Sequence, residues 1–146
     1  MAACAPSDKK HCIPCSTMDP SFLLSEDDIQ KRLQSSLPLW KYDDDEKKIS
    51  RSFVAKNFQA ALDALNAFGA IAEQENHHPD FHLTEYRNVQ IVLWTHSLGG
   101  VTESDLILAG LLDQVPVVYS PKWLKEHPEA EAATSNKNNN TSTTSN

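Results

Sequence analysis

The stretch HHPDFHLTEYRNVQIVLWTH, His77 to His96, holds two runs rich in β-branched and aromatic residues, DFHLTEY and VQIVLWTH, separated by Arg87 and Asn88. Asparagine tolerates the left-handed conformation that a two-residue hairpin loop requires, so the runs read as paired antiparallel strands. With Arg87 and Asn88 as the loop, Tyr86 faces Val89, and His96 comes to lie across from Pro79, beside the His77–His78 pair. His82 would face Leu93 and is left out of the predicted site. Pro79 disfavours a helical conformation at His78 and so turns the chain at the two histidines.

Upstream, Asn57 is a good cap for a helix running to about Asn76. Phe58, Leu62, Leu65, Phe68 and Ala72 recur at steps of three and four and predict its buried stripe. Glu73 lies one turn before His77 on the same side, which predicts a carboxylate orienting that imidazole. Earlier, LWKYDDDEKKISRSFVA reads as two short strands, Leu39 to Tyr42 and Lys48 to Val54, around a solvated acidic turn. Ile49, Arg51 and Phe53 share one face of the second strand; Ser50, Ser52 and Val54 share the other. In LLSEDDIQKRLQSSLP, Ser25 caps a first helix with Asp28 three residues on, and Leu24 and Ile29 form a staple across the cap. Ile29, Leu33 and Leu37 fall on one face, and Pro38 ends the element.

Downstream of His96, Gly99 and Gly100 allow a tight turn, and Thr102 caps a helix with Asp105 at its third position. Leu106, Ile107, Ala109, Leu111 and Leu112 make this helix largely buried. Asp105 reads both as a capping carboxylate and as a charge, one short loop from His96, that helps set histidine protonation. The order helix, strand, strand, helix, strand, strand, helix predicts an α+β domain: one four-stranded antiparallel sheet with three helices packed on one face.

The 146 residues, 40% of them hydrophobic, suit a single domain, here expected over 21–128 between a flexible arm (1–20) and a disordered low-complexity tail (129–146). Thirteen basic against twenty acidic residues, a formal charge of -7, argue against a nucleic-acid surface. No run of about 18 apolar residues predicts a membrane span, and the N-terminus is neither secretory in pattern nor Arg-rich, so the expected location is cytoplasmic. Cys4, Cys12 and Cys15 all lie in the arm. HCIPC offers a Cys-x-x-Cys pair beside His11, but no second cysteine pair follows to complete a zinc site. The thiols read as reduced side chains, with redox or metal use as the alternative.

EQENHHP (Glu73 to Pro79), then Tyr86, then WTH ending at His96, then Asp105 within GGVTESDLILA, together resemble the signature of the pterin-4a-carbinolamine dehydratase family. The likeness extends from about Trp40 to Val115 and includes Phe53 and Phe58; HCIPC is similar to an N-terminal motif of some members. The resemblance implies a lyase that dehydrates a 4a-hydroxytetrahydropterin to the quinonoid dihydropterin in tetrahydrobiopterin recycling, with no metal and no organic cofactor. It implies catalytic roles for His77, His78 and His96, supported by Glu73 and Asp105. Substrate contacts would come from His77, His78 and Pro79 and from Thr95, His96, Ser97 and Leu98. His77 would be the principal acid/base residue and His96 its counterpart. A homodimer or homotetramer is expected. Imidazoles titrate near neutral pH and can serve as both acid and base.

Two other readings stand beside this one. A zinc site of His77, His96 and a carboxylate is the rival chemistry, although adjacent His77 and His78 point to different sides and make poor paired ligands. Relatives that act as a transcription-factor dimerisation cofactor or as an assembly factor suggest a non-catalytic protein-binding module on the same fold.

Overall fold

The computed structural model describes residues 19–132. The cysteines and His11, and most of the expected arm and tail, lie outside the described residues. Within them the chain forms α1 (Glu26–Ser36), β1 (Lys41–Asp43), β2 (Lys48–Val54), α2 (Phe58–Glu75), β3 (Asp80–Thr84), β4 (Asn88–Leu93), α3 (Glu103–Leu112) and α4 (Pro121–Glu126), with a 3-10 turn at Pro20–Phe22. The four strands make one sheet in the order β1-β2-β4-β3, antiparallel throughout. Ile49, Phe53, Val89, Ile91 and Leu93 on one sheet face meet Ile29, Leu33 and Leu37 of the first helical segment, Phe68 of α2, and Leu106, Leu108 and Leu112 of α3 in a single core. The α+β architecture is the expected one, with α4 added. Ser120 followed by Pro121 at the first helical position is the start signal for α4. Ala130, past the expected limit of 128, is fully buried.

Two expectations are corrected. Thr84 pairs with Asn88, so the β3–β4 loop is Glu85–Arg87, three residues rather than two, with Glu85 and Tyr86 at positive φ (49° and 60°). Leu83 then faces Val89, and His82 faces Gln90 instead of Leu93. The expected register would have set His82 and Thr84 opposite Leu93 and Ile91, polar against core. The observed one aligns Phe81 with Ile91 and Leu83 with Val89 on the helix-covered face. β4 ends at Leu93, so His96 does not pair with Pro79 through the ladder.

The buried stripe of α2 is Ala61, Ala64, Phe68 and Ala72, with Leu65 packed partly against the core. Phe58 is 50% exposed and Leu62 is half-buried. A period of 3.6 residues places these two on the adjoining stripe, while small alanines face the sheet and let the helix lie close to it. Phe53 receives the edge of Phe68 at 6.2 Å between ring centroids and of Tyr119 at 5.5 Å.

Tyr119 returns the chain after α3 to the end of β2, bridging Ala55, and its hydroxyl accepts from Arg51 at 2.5 Å. Burial pushes the Tyr119 phenol above its ordinary range, and the Arg51 guanidinium opposes that in part. A raised folded value means that the unfolded chain ionises first. The stability contributed is complete below about pH 10, the unfolded value, and is lost as pH rises through the folded one. The melting temperature is therefore expected to fall above about pH 10, and less steeply in Tyr119→Phe. Equal alkaline slopes in melts of the two proteins would show that Tyr119 does not contribute; Tyr42, raised by its own desolvation, is present in both.

Candidate active site

The site is organised by the way α2 stops. Asn76 is left-handed (φ 52°, ψ 39°), its N–H donates to the carbonyls of Ala72 and Glu73, and the His77 N–H donates to Ala72 O at 3.1 Å. An asparagine in this conformation is a strong helix stop. The chain reverses there, one residue before the histidine pair, and the two rings part. His77 is 3% exposed; His78 is exposed.

His77 Nε2 lies 2.6 Å from Asp105 Oδ1. Because a carboxylate only accepts, this contact puts the proton on Nε2. Asp105 is fully buried. Its Oδ2 accepts from the Thr95 hydroxyl at 2.9 Å and from the Thr102 N–H at 2.9 Å, the backbone half of a capping box at the start of α3. The helix N-terminus adds its favourable dipole to this charge. One carboxylate thus joins three segments: the His-His-Pro turn, the end of β4, and the first turn of α3. The Thr95 and Thr102 hydroxyls are themselves 2.9 Å apart, and among the described residues no buried side-chain polar atom lacks a partner.

Glu73 partners the other histidine. Its Oε2 lies 2.9 Å from His78 Nε2, both side chains being mostly exposed. The expected Glu73–His77 pairing is therefore corrected: it assumed a helix continuing through His77, and the Asn76 reversal moves His77 inward.

His96 is exposed and stacks on Trp94, with ring centroids 4.2 Å apart and 29° between planes. It sits in a tight loop closed by Thr95 N–H to Gly100 O at 2.7 Å and by Leu98 and Gly99 N–H to Thr95 O. Gly99 has φ +66°, which favours glycine there. A Cβ at Gly100 would come within 2.8 Å of Leu23 Cδ2, because the segment before α1 lies along this loop, with Leu24 N–H donating to Val101 O at 2.9 Å. All the sequence-predicted residues thus fall in two adjoining segments at one end of the sheet and in the start of α3. The three histidines stand against three different partners. His82 is on the open sheet face, and His127 is held by the Trp123 carbonyl through Nδ1. Among the described residues no group of three or more His, Cys, Asp or Glu side chains is arranged to hold a metal ion, and no helix is long and apolar enough to cross a membrane. The sequence carries no signal for Thr95 as a direct partner of Asp105, or for Trp94 and Asp80 as neighbours of the histidines. Of the Asp105 contacts, the cap motif pointed only to Thr102.

The sequence profile described as pterin 4 alpha carbinolamine dehydratase matches residues 23–115. The chain belongs to the pterin-4a-carbinolamine dehydratase family. It is 40% identical over 110 residues to "Pterin-4-alpha-carbinolamine dehydratase 2, mitochondrial" of Arabidopsis thaliana, covering 74% of this chain but only 58% of that relative's length. A Chlorobaculum tepidum protein named provisionally for the same activity is 43% identical over 105 residues, 70% of this chain and 90% of that protein. The crystal structure of a "transcriptional coactivator/pterin dehydratase" from Brucella melitensis superimposes with a TM-score of 0.57 at 32% identity, over 62% of this chain and 95% of that one. The dehydratase family match spans every element from α1 through α3, and with them the three histidines and both carboxylates.

Proposed function

We propose that the protein dehydrates a 4a-hydroxytetrahydropterin to the quinonoid dihydropterin, in tetrahydrobiopterin recycling, by histidine acid/base catalysis. In this step the C4a–O bond breaks and the oxygen leaves as water after accepting a proton. The N5 proton goes to a base, and the N5–H electron pair becomes the C4a=N5 double bond. One acid and one base suffice, and no nucleophile is consumed. The observation that carries the reading is the pair of exposed imidazoles, His78 and His96, next to a third, His77, that is locked on buried Asp105. The exposed rings can meet a ligand and exchange its protons, so the acid/base role expected of His77 is assigned here to His78, because the His77 ring is buried and held on Asp105. His77 and Asp105 fix the turn that presents His78 and, through Thr95, the loop that presents His96; Glu73 orients His78. Pro79, Thr95, Ser97 and Leu98 complete the binding segments. Thr95 and Leu98 use their N–H groups within the loop, so an N–H offered to the pterin edge comes from His96 or Ser97.

The test is the loss of freshly generated 4a-hydroxytetrahydropterin, followed by ultraviolet absorbance, with chelator-treated protein. Acceleration over the uncatalysed rate that disappears in a His78→Ala/His96→Ala double variant is the expected result. No acceleration by the wild type would leave the fold as a protein-binding module, the alternative suggested by the coactivator name of the Brucella structure. The proposal includes a cytosolic setting and a homodimer or homotetramer. Exposed Phe58 on α2 and the open edges of β1 and β3 are surfaces another copy can cover. Light scattering showing only the 16.3 kDa monomer would remove the oligomer.

A further inference from the structure

Trp94 holds a position that the dehydration chemistry above does not use. Leaving β4, the chain continues to alternate. Leu93 points into the core, the Trp94 ring is half-buried on the sheet's open side, Thr95 turns inward to Asp105, and His96 comes out again over Trp94. The Trp94 indole contacts His96 in its own loop and two other segments. His96 stacks on it at 4.2 Å. Its Nε1–H donates to Asp80 Oδ2 at 3.3 Å, and Asp80 directly follows His77-His78-Pro79. The Lys48 ammonium, at the start of β2, lies 4.8 Å from the ring centroid, where the π face attracts a cation. The arms 77–80 and 94–96 are therefore tied twice: on the core side by Asp105, between His77 and Thr95, and on the open side by Trp94, between Asp80 and His96.

We infer that Trp94 is a positioning residue for the reaction, the outer clamp that fixes the His96 ring relative to the His-His-Pro turn. An exposed imidazole on a short loop samples several rotamers. Stacking on a large aromatic face, which is itself anchored at Asp80 and Lys48, selects one of them. Displacing a reacting group by about 1 Å costs on the order of 100-fold in rate, so a clamp that acts on His96 without touching substrate shows up in kcat rather than in KM. The inference rests on the histidine reading above.

Trp94→Leu removes both the stack and the indole N–H; Trp94→Phe keeps an aromatic face and loses only the hydrogen bond. In the full chain, Trp94→Leu is expected to lower kcat about tenfold with KM changed less than about twofold, and Trp94→Phe to stay within about threefold of wild type. Proton NMR of the histidine rings, with the His96 signals assigned from a His96→Gln spectrum, supplies a readout independent of activity. Those signals are shifted by the Trp94 ring current in the wild type, retain most of the shift in Trp94→Phe, and lose it in Trp94→Leu. Signals that do not move in Trp94→Leu overturn the clamp. Signals that move while kcat stays at the wild-type value overturn its role in catalysis. A wild type with the ring-current shift but no dehydration overturns the functional reading, and with it the rate effect assigned to Trp94, while leaving the stack established.

Discussion

His78→Ala and His96→Ala are each expected to lower the dehydration rate by about 10²- to 10⁴-fold, the contribution of a positioned general acid or base, with stability kept within about 0.5 kcal/mol of wild type. Both rings are exposed, and their contacts, Glu73 for one and Trp94 for the other, lie outside the core. Asp105→Asn should behave differently. An amide has one acceptor oxygen, whereas Oδ1 and Oδ2 of Asp105 face His77 on one side and Thr95 and Thr102 on the other. Turned towards Thr102, the NH₂ meets a fixed backbone donor in a fully buried site; turned towards His77, it forces the imidazole to give up the Nε2 proton and take the other tautomer. The expected cost is about 1–3 kcal/mol of stability, together with about 100-fold in rate as the two arms shift. Rapid-mixing rates and thermal melts on the three variants separate the roles. Full rate in either alanine variant ends the acid/base assignment of that histidine. An Asp105→Asn protein that melts lower but reacts at the wild-type rate reduces Asp105 to a helix cap.

What the sequence carried and what it withheld divide along the range of the interaction. The caps at Ser25 and Asn57, the Thr102-Asp105 box and the common face of Ile49, Arg51 and Phe53 depend on neighbours a few residues away, and the structure has them all. The hairpin register failed by the length of one loop, because two left-handed residues at Glu85 and Tyr86 carry no glycine or asparagine to announce them. Its consequence for His96 failed with it, although the two arms do meet, through Asp105 and Trp94 rather than across the ladder. Helical spacing pairs Glu73 with His77 only if the helix runs on past Asn76, whose left-handed state is allowed by its sequence but not demanded by it, and that state gives Glu73 to His78 instead. The Asp105–His77 contact spans 28 residues. No local pattern encodes it: the sequence brought Asp105 near the histidines only through its short loop to His96, and did not name His77 as its partner. For Arg51 the strand pattern gave a shared face with Ile49 and Phe53, but neither its burial nor the acid that makes burial tolerable.

That acid is Asp113, and Asp113→Ala is expected to cost about 3–5 kcal/mol, the usual consequence of leaving a buried charge without its partner. Asp113 follows α3, and its Oδ1 accepts from Arg51 Nη1 at 3.0 Å and from Trp40 Nε1 at 2.9 Å. The Arg51 and Asp113 side chains are 3% and 6% exposed. With the carboxylate gone, the guanidinium keeps the Tyr119 hydroxyl and the faces of Phe53 and Phe68, at 5.3 and 6.0 Å, contacts too weak to replace its solvation. Against a total stability of about 5–15 kcal/mol, the loss should lower the urea midpoint by about 1–3 M. Arg51→Met/Asp113→Leu tests the cause, because removing both charges together removes the stranded charge and leaves the Trp40 Nε1–H without its acceptor. Recovery of most of the lost stability, short of wild type by the unpaired Trp40 N–H, is expected in the double variant, and a double variant as unstable as the single one would mean that the stranded charge was not what cost the energy. The same double variant shows what the pair does for the site. Arg51 and Trp40 hold the C-terminal end of α3, while Asp105 at the other end holds His77 and Thr95. A protein that regains stability but reacts slowly would show that the ion pair sets the position of α3, and that the core ionic network and the histidines are coupled through one helix.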